Sequence, residues 1–172
     1  MCYNVYHRRV IFLQIQKDAW KFSVDIEKTR EYYKNLSLCD CGECRNYYLQ
    51  IEEKLPKLKE FLEEFGVDIS KPDNLSSCTY EGEIDYFSVY YTVCGEITES
   101  SKYEIDIYDN LFLSIIASDD TAPPNEQTGD YFTFSVMQIR LPWILNEPFP
   151  DSVASEVQSV FSKFLGFFKK KK

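Results

Sequence analysis

The spacing of hydrophobic residues predicts a chain that begins with a short hairpin. Residues 10–16 are mostly apolar and apolar and polar residues alternate over 20–24, so both segments are predicted to be short strands. Lys17 and Asp18 lie between them and predict a turn. Asp25 can accept a hydrogen bond at the start of a helix, so we expect a helix over residues 26–36.

A helical period follows this first part of the chain. Apolar residues recur at i, i+3, i+4, i+7 and i+11, and they are Cys44, Tyr47, Tyr48, Ile51 and Leu55. This spacing predicts one helix over residues 44–55. A proline at position 56 suits the first turn of a second helix over 56–65, and a glycine at 66 suits its end.

The second half of the chain has the period of strands. Residues 84–94 predict a buried strand with two apolar faces, and we expect Phe87 to share a face with Val89 and Tyr91. Further strands are predicted over 103–107, 111–117 and 131–141, and an amphipathic helix over 152–168.

This order of elements predicts an α+β fold in which an antiparallel sheet has helices packed on one face. We expect a single domain over residues 1–172, because the chain has about one domain's length. Its parts are a helical half over about 1–72, an acidic sheet half over about 73–145, and the C-terminal helix over about 152–168.

The composition supports a core that folds without disulfides. Hydrophobic residues make up 44% of the chain and aromatic residues 16%. We therefore interpret the six cysteines as free or metal-bound thiols in a reducing cytoplasm. No apolar run approaches the roughly 20 residues that a membrane-spanning helix requires. The sequence thus predicts a cytoplasmic protein without a transmembrane segment.

The negative charge is concentrated in one part of the chain. The net charge is −9, and residues 73–130 contain thirteen acidic residues against one basic residue, Lys102. Such a bias disfavours direct binding of nucleic acid, which normally needs a basic surface. It predicts either a solvated surface that keeps the protein soluble or an acidic face for a basic protein partner. The candidate face consists of Glu81, Glu83, Asp85, Glu104, Asp106 and Asp109.

The segment Cys39-Asp40-Cys41-Gly42-Glu43-Cys44 is the sharpest motif of the sequence. Three thiols within six residues can converge on a zinc ion, which prefers four nitrogen or sulfur ligands. The candidates for a fourth ligand are Cys78, Cys94, Cys2 and His7. Two alternatives stay open: a redox-active pair at Cys41 and Cys44, and cysteines that only pack in the core.

Four segments together resemble a family of small, uncharacterised bacterial proteins with a C-x-C-x-x-C-R-N-aromatic motif. They are residues 25–33, the cysteine segment with Arg45-Asn46-Tyr47, residues 65–72, and residues 141–145. The resemblance covers about residues 24–145. It implies no activity, cofactor or catalytic residue.

Signals of an enzyme are few. His7 is the only histidine, and the chain contains no G-x-S-x-G, P-loop or G-x-G-x-x-G pattern. The sequence therefore favours a non-enzymatic binding protein, in one form an inhibitor or immunity-type protein that acts on a basic, nucleic-acid-handling partner. The alternative is a small protein with a structural zinc ion.

The end of the chain allows one more interaction. Phenylalanines within 161–168 precede four lysines, as in an amphipathic helix at a membrane surface. A helix over 152–168 that packs on the core, followed by a solubilising tail, is the alternative explanation for residues 152–172.

Overall fold

The computed structural model describes residues 11–108 and 129–150, and for residues 115–118 it describes the backbone alone. Several sequence predictions lie outside the described residues. They are the start of the strand at 111–114, the helix over 152–168 with its membrane-surface interpretation, and the candidate residues Cys2, His7 and Asp109.

The described residues form eleven elements. The strands are β1 (Leu13–Lys17), β2 (Trp20–Val24), β3 (Asn74–Tyr80), β4 (Glu83–Glu99), β5 (Ile115–Ser118), β6 (Tyr131–Val136) and β7 (Ile139–Pro142). The helices are α1 (Ile26–Asn35), α2 (Gly42–Tyr48), α3 (Ile51–Lys54) and α4 (Pro56–Glu63). The predicted α+β class is confirmed.

The long strand β4 organises the sheet, and every strand pairing in the described residues is antiparallel. The start of β4 pairs with β3 and β7, its middle pairs with β6, and its end pairs with β2. The order along the main path is β1-β2-β4-β6-β5. A single sheet built on one central strand confirms the predicted antiparallel architecture.

A bulge in β4 changes which of its side chains face the core. Ser76 and Ser77 of β3 pair with Ser88 and Tyr86, so β4 has one extra residue, Phe87, between them. The inward positions are therefore Ile84 and Tyr86 before the bulge, and Val89, Tyr91 and Val93 after it. Phe87 is 50% exposed, so the prediction that it shares a face with Val89 was wrong.

The core lies between this inward face of the sheet and the helices. Tyr47 of α2 meets Tyr86 of β4 with ring centroids 5.0 Å apart, and Phe61 of α4 meets Phe134 of β6 at 5.3 Å. Phe22 of β2 extends the cluster towards β1. Because such rings bury large apolar areas, helix docking on this face is strongly favoured by the hydrophobic effect.

Four local predictions differ from the structure. The strand predicted over 131–141 is divided into β6 and β7, with Gln138 between them at a positive φ of 63°. The helix predicted over 44–55 is interrupted, because the Gln50 side-chain amide donates to the Asn46 carbonyl and the Gln50 backbone N–H donates to Tyr47 instead. Residues 103–107 are not a strand; Ile105 alone forms a bridge there and is buried. The strand β3 was missed because its sequence, Asn74–Tyr80, is mostly polar.

Candidate metal centre

The three cysteines of the motif meet where a loop enters α2. Cys39 lies in the loop, Cys41 directly precedes the helix, and Cys44 lies in its first turn. Their three Sγ atoms all lie within 4.8 Å of one another. Cys44 is buried, whereas Cys39 and Cys41 are exposed. The centre is therefore anchored in the core through one cysteine and open to solvent at the other two.

Arg45 fixes the loop against the chain after β7. Its Nε donates to the Asp40 carbonyl at 2.8 Å, so the side chain closes over the loop. Its two terminal nitrogens donate to the two carboxylate oxygens of Glu147, at 2.7 and 2.8 Å. This bidentate pair raises the pKa of Arg45 and lowers the pKa of Glu147.

Asn46 is fully buried and holds the same two segments together. Its Nδ2 donates to the Pro142 carbonyl at 3.1 Å, and its Oδ1 accepts from the Ile144 backbone N–H at 2.9 Å. The Trp143 ring lies against Gly42, where a Cβ atom would meet the ring at 2.9 Å. Asn46 and Gly42 of α2 thus hold residues 142–144 against this helix.

The three thiols differ in their acidity. The backbone N–H of Cys41 approaches the exposed Cys39 sulfur and, together with the other two thiols, lowers the pKa of Cys39. Partial desolvation of the sulfur raises the pKa of Cys41, although the residue as a whole is exposed. Burial also raises the pKa of Cys44, although the Tyr48 hydroxyl lies beside this thiol and acts in the opposite direction. Cys39 is therefore the thiol that ionises most readily.

A cleft of about 250 Å³ opens beside the three cysteines. Its walls come from the loop before α2, from α2 itself, and from the start of β3. The residues around it are Ser37, Cys39, Cys41, Glu43, Cys44, Tyr48, Pro72, Asp73, Asn74, Leu75 and Ser77. The cleft thus gives solvent and small molecules access to the sulfur atoms.

The spacing of the sulfur atoms suits a metal ion. With Zn–S bonds of about 2.3 Å, tetrahedral coordination places two sulfurs about 3.8 Å apart. The three sulfur atoms lie within 4.8 Å of one another, so small side-chain rotations would bring them to this separation. Together the three side chains could supply three thiolate ligands to one soft cation.

No fourth ligand joins this group among the described residues. Cys78 lies on β3 opposite Asp85 and is exposed. Cys94 is buried on β4, where its backbone N–H donates to the Thr29 hydroxyl. Neither belongs to the group of converging sulfurs, although the sequence had offered both as candidates.

The predicted acidic residues are distributed in two groups. Glu81 and Glu83 lie at the turn between β3 and β4, and Asp85 beside them is 3.5 Å from Arg140. Glu104 and Asp106 follow the other end of β4, where Asp106 lies near the β1–β2 turn residues. The two groups are therefore separated along the long axis of β4.

Comparisons with models of known protein families, with curated proteins and with solved structures gave no significant match. The resemblance drawn from the sequence therefore stays an expectation. No helix in the described part of the chain has the length and apolar character needed to cross a membrane.

Sequence reasoning found the three cysteines but missed the residues that position them. Glu147 pairs with Arg45 across 102 positions of sequence, and Tyr48 reaches Cys44 from the next turn of the same helix. The i, i+4 spacing of Cys44 and Tyr48 was a signal for the second contact. Nothing in the local sequence pointed to the pairing of Glu147 with Arg45.

Proposed function

We propose that this protein binds one soft metal ion, zinc by preference, through Cys39, Cys41 and Cys44. The single observation that supports this proposal is the convergence of three sulfur atoms within 4.8 Å. Thiolates favour soft and borderline cations, and zinc is the common structural ion among them. The proposal includes a reducing cytoplasm, which would keep the thiols free for metal.

The role of the metal would be structural. In the loop that contains Cys39 and Cys41, residues 37–41 are all exposed. An ion that joins these two residues to the buried Cys44 would fix the loop on α2. Binding of metal to the folded chain alone would also stabilise the fold by mass action.

Metal analysis of the reduced, full-length chain tests this proposal. We expect about one zinc per chain in protein purified without chelator, and no zinc after all three cysteines are changed to serine. Cys78→Ser is the matched control, because Cys78 is also an exposed cysteine but does not belong to the group. Less than a tenth of an equivalent in the unmodified chain would contradict the proposal.

We propose, second, that the exposed acidic residues meet a basic protein partner, without enzymatic activity and without direct binding of nucleic acid. The supporting observation is the exposure of Glu81, Glu83, Glu104 and Asp106. Each group can be tested by one double variant in a pull-down at low and high salt. The first variant combines Glu81→Gln with Glu83→Gln, and the second combines Glu104→Gln with Asp106→Asn. Electrostatic association should weaken in one of them and at high salt. Equal capture by both variants and by the unmodified chain would contradict this second proposal.

A further inference from the structure

With a divalent metal ion bound, the net charge of the cysteine site restricts which ligand can occupy the fourth coordination position. A divalent cation with three thiolates has a net charge of −1. Carboxylates add to this charge, because Glu43 and Asp73 border the same cleft and Asp40 lies between two of the cysteines. Among the residues that the structure describes, those around the cleft include no Lys, Arg or His. An incoming anion would therefore meet repulsion on entry.

The guanidinium of Arg45 does not remove this repulsion. Arg45 follows Cys44 in α2, but both terminal nitrogens of its guanidinium are bound to the Glu147 carboxylate. Its Nε is bound to the Asp40 carbonyl. The charge of Arg45 is thus offset by that of Glu147, and each of its three side-chain nitrogens already donates a hydrogen bond.

The nearby carboxylates are also poorly placed to act as the fourth ligand. Asp73 accepts a hydrogen bond from the Tyr32 hydroxyl at one oxygen, and from the Thr92 backbone N–H at 2.6 Å at the other. Glu43 borders the cleft, but its carboxylate is not in the group of atoms that converge with the three sulfurs. The cleft itself is large enough for a ring the size of imidazole.

We propose that a zinc ion held by Cys39, Cys41 and Cys44 keeps its fourth position open to the cleft, and that this position takes a neutral donor of the imidazole type in place of water while it disfavours anions. The inference rests on the metal site proposed above. Three protein ligands with one exchangeable position are the arrangement of zinc centres that bind further ligands. The centre would then be a docking point for a histidine side chain or a small imidazole, as well as a structural link.

The experiment uses the full chain loaded with Co²⁺, whose visible bands report the ligands of a tetrahedral site. Imidazole and azide are titrated separately at pH 8, where imidazole is neutral. We expect imidazole to shift the bands to saturation and azide to bind at least about tenfold more weakly. Glu43→Gln should strengthen azide binding by about threefold, because one negative charge near the cleft is removed, and leave imidazole binding unchanged. Glu53→Gln, at an exposed residue of α3, is the control and should alter neither titration.

Three results would overturn the inference in distinguishable ways. Azide binding as strong as imidazole binding would show that the charge argument is wrong. A Co²⁺-loaded chain that responds to imidazole only after Cys2→Ala or His7→Ala would show that residues 1–10 fill the fourth position. If one equivalent of Co²⁺ binds but neither ligand has an effect in any variant, the position is closed. Failure to take up Co²⁺ at all would instead refute the metal site itself.

Discussion

Asn46 provides the sharpest test of how the cysteine segment is held. Its side chain makes three hydrogen bonds: Nδ2 donates to the Tyr86 hydroxyl and to the Pro142 carbonyl, and Oδ1 accepts from the Ile144 N–H. Two of these partners keep another bond in Asn46→Ala. Gln50 still donates to Pro142, and the Tyr86 hydroxyl still donates to the Glu43 carbonyl. The Ile144 N–H loses the bond that Asn46 supplies.

The magnitude follows from this count. Three hydrogen bonds, one buried and two partly buried, contribute about 0.5–1.5 kcal/mol each, so Asn46→Ala should lower the free energy of unfolding by about 2–4 kcal/mol. Asn46→Asp should cost more at neutral pH, because an ionised carboxylate would be buried against the Pro142 carbonyl.

Urea unfolding followed by circular dichroism measures both variants, in reductant and chelator so that metal binding does not contribute. Asn35→Ala is the matched control, since the Asn35 side chain bonds to its own helix at the surface and should change stability by less than about 0.5 kcal/mol. An Asn46→Ala variant within 0.5 kcal/mol of the unmodified chain would refute the argument that this residue joins α2 to the segment after β7.

Three further outcomes follow from the structure. Gly66→Ala should destabilise the fold by about 1–3 kcal/mol more than Gly82→Ala, as thermal unfolding of the two variants would show. Both glycines have a positive φ, but of the two only Gly66 has a backbone carbonyl within reach of an added Cβ atom, at 2.8 Å. Burial raises the pKa of Asp73 in the folded chain above the usual carboxyl value of about 4. Protonated Asp73 therefore stabilises the fold at low pH, and this stabilisation is lost as the pH rises through the raised pKa. Asp73→Asn should therefore flatten that decline in urea unfolding between pH 3.5 and 6. In the metal-free chain, iodoacetamide should modify exposed Cys39 before buried Cys44, as peptide mass spectrometry would show.

Each of these outcomes can fail separately. Equal destabilisation by the two glycine variants would mean that the close approach at position 66 relaxes without cost. An unchanged pH dependence in Asp73→Asn would assign the decline to other carboxyl groups. Alkylation of Cys44 at the same rate as Cys39 would show that the loop opens faster than the reagent acts.

Local sequence patterns predicted the elements whose stability depends on near neighbours. The alternation in residues 20–24 is that of β2, and Asp25 does accept from the Lys28 N–H at the start of α1. The six-residue cysteine motif likewise brought its three sulfurs together, because ligands this close in sequence need only one loop and one helical turn to converge.

Tertiary structure decided the features that depend on distant partners. The bulge at Phe87 follows from pairing with β3, and it reverses the inward side of β4 without any change in the pattern of apolar residues. The interruption between α2 and α3 depends on Gln50, whose amide also donates to Pro142, 92 residues later. The sequence showed that three thiols could meet, but the buried anchor at Cys44, the pairing of Arg45 with Glu147 and the cleft beside them exist only because packing brings separate segments of the chain into contact.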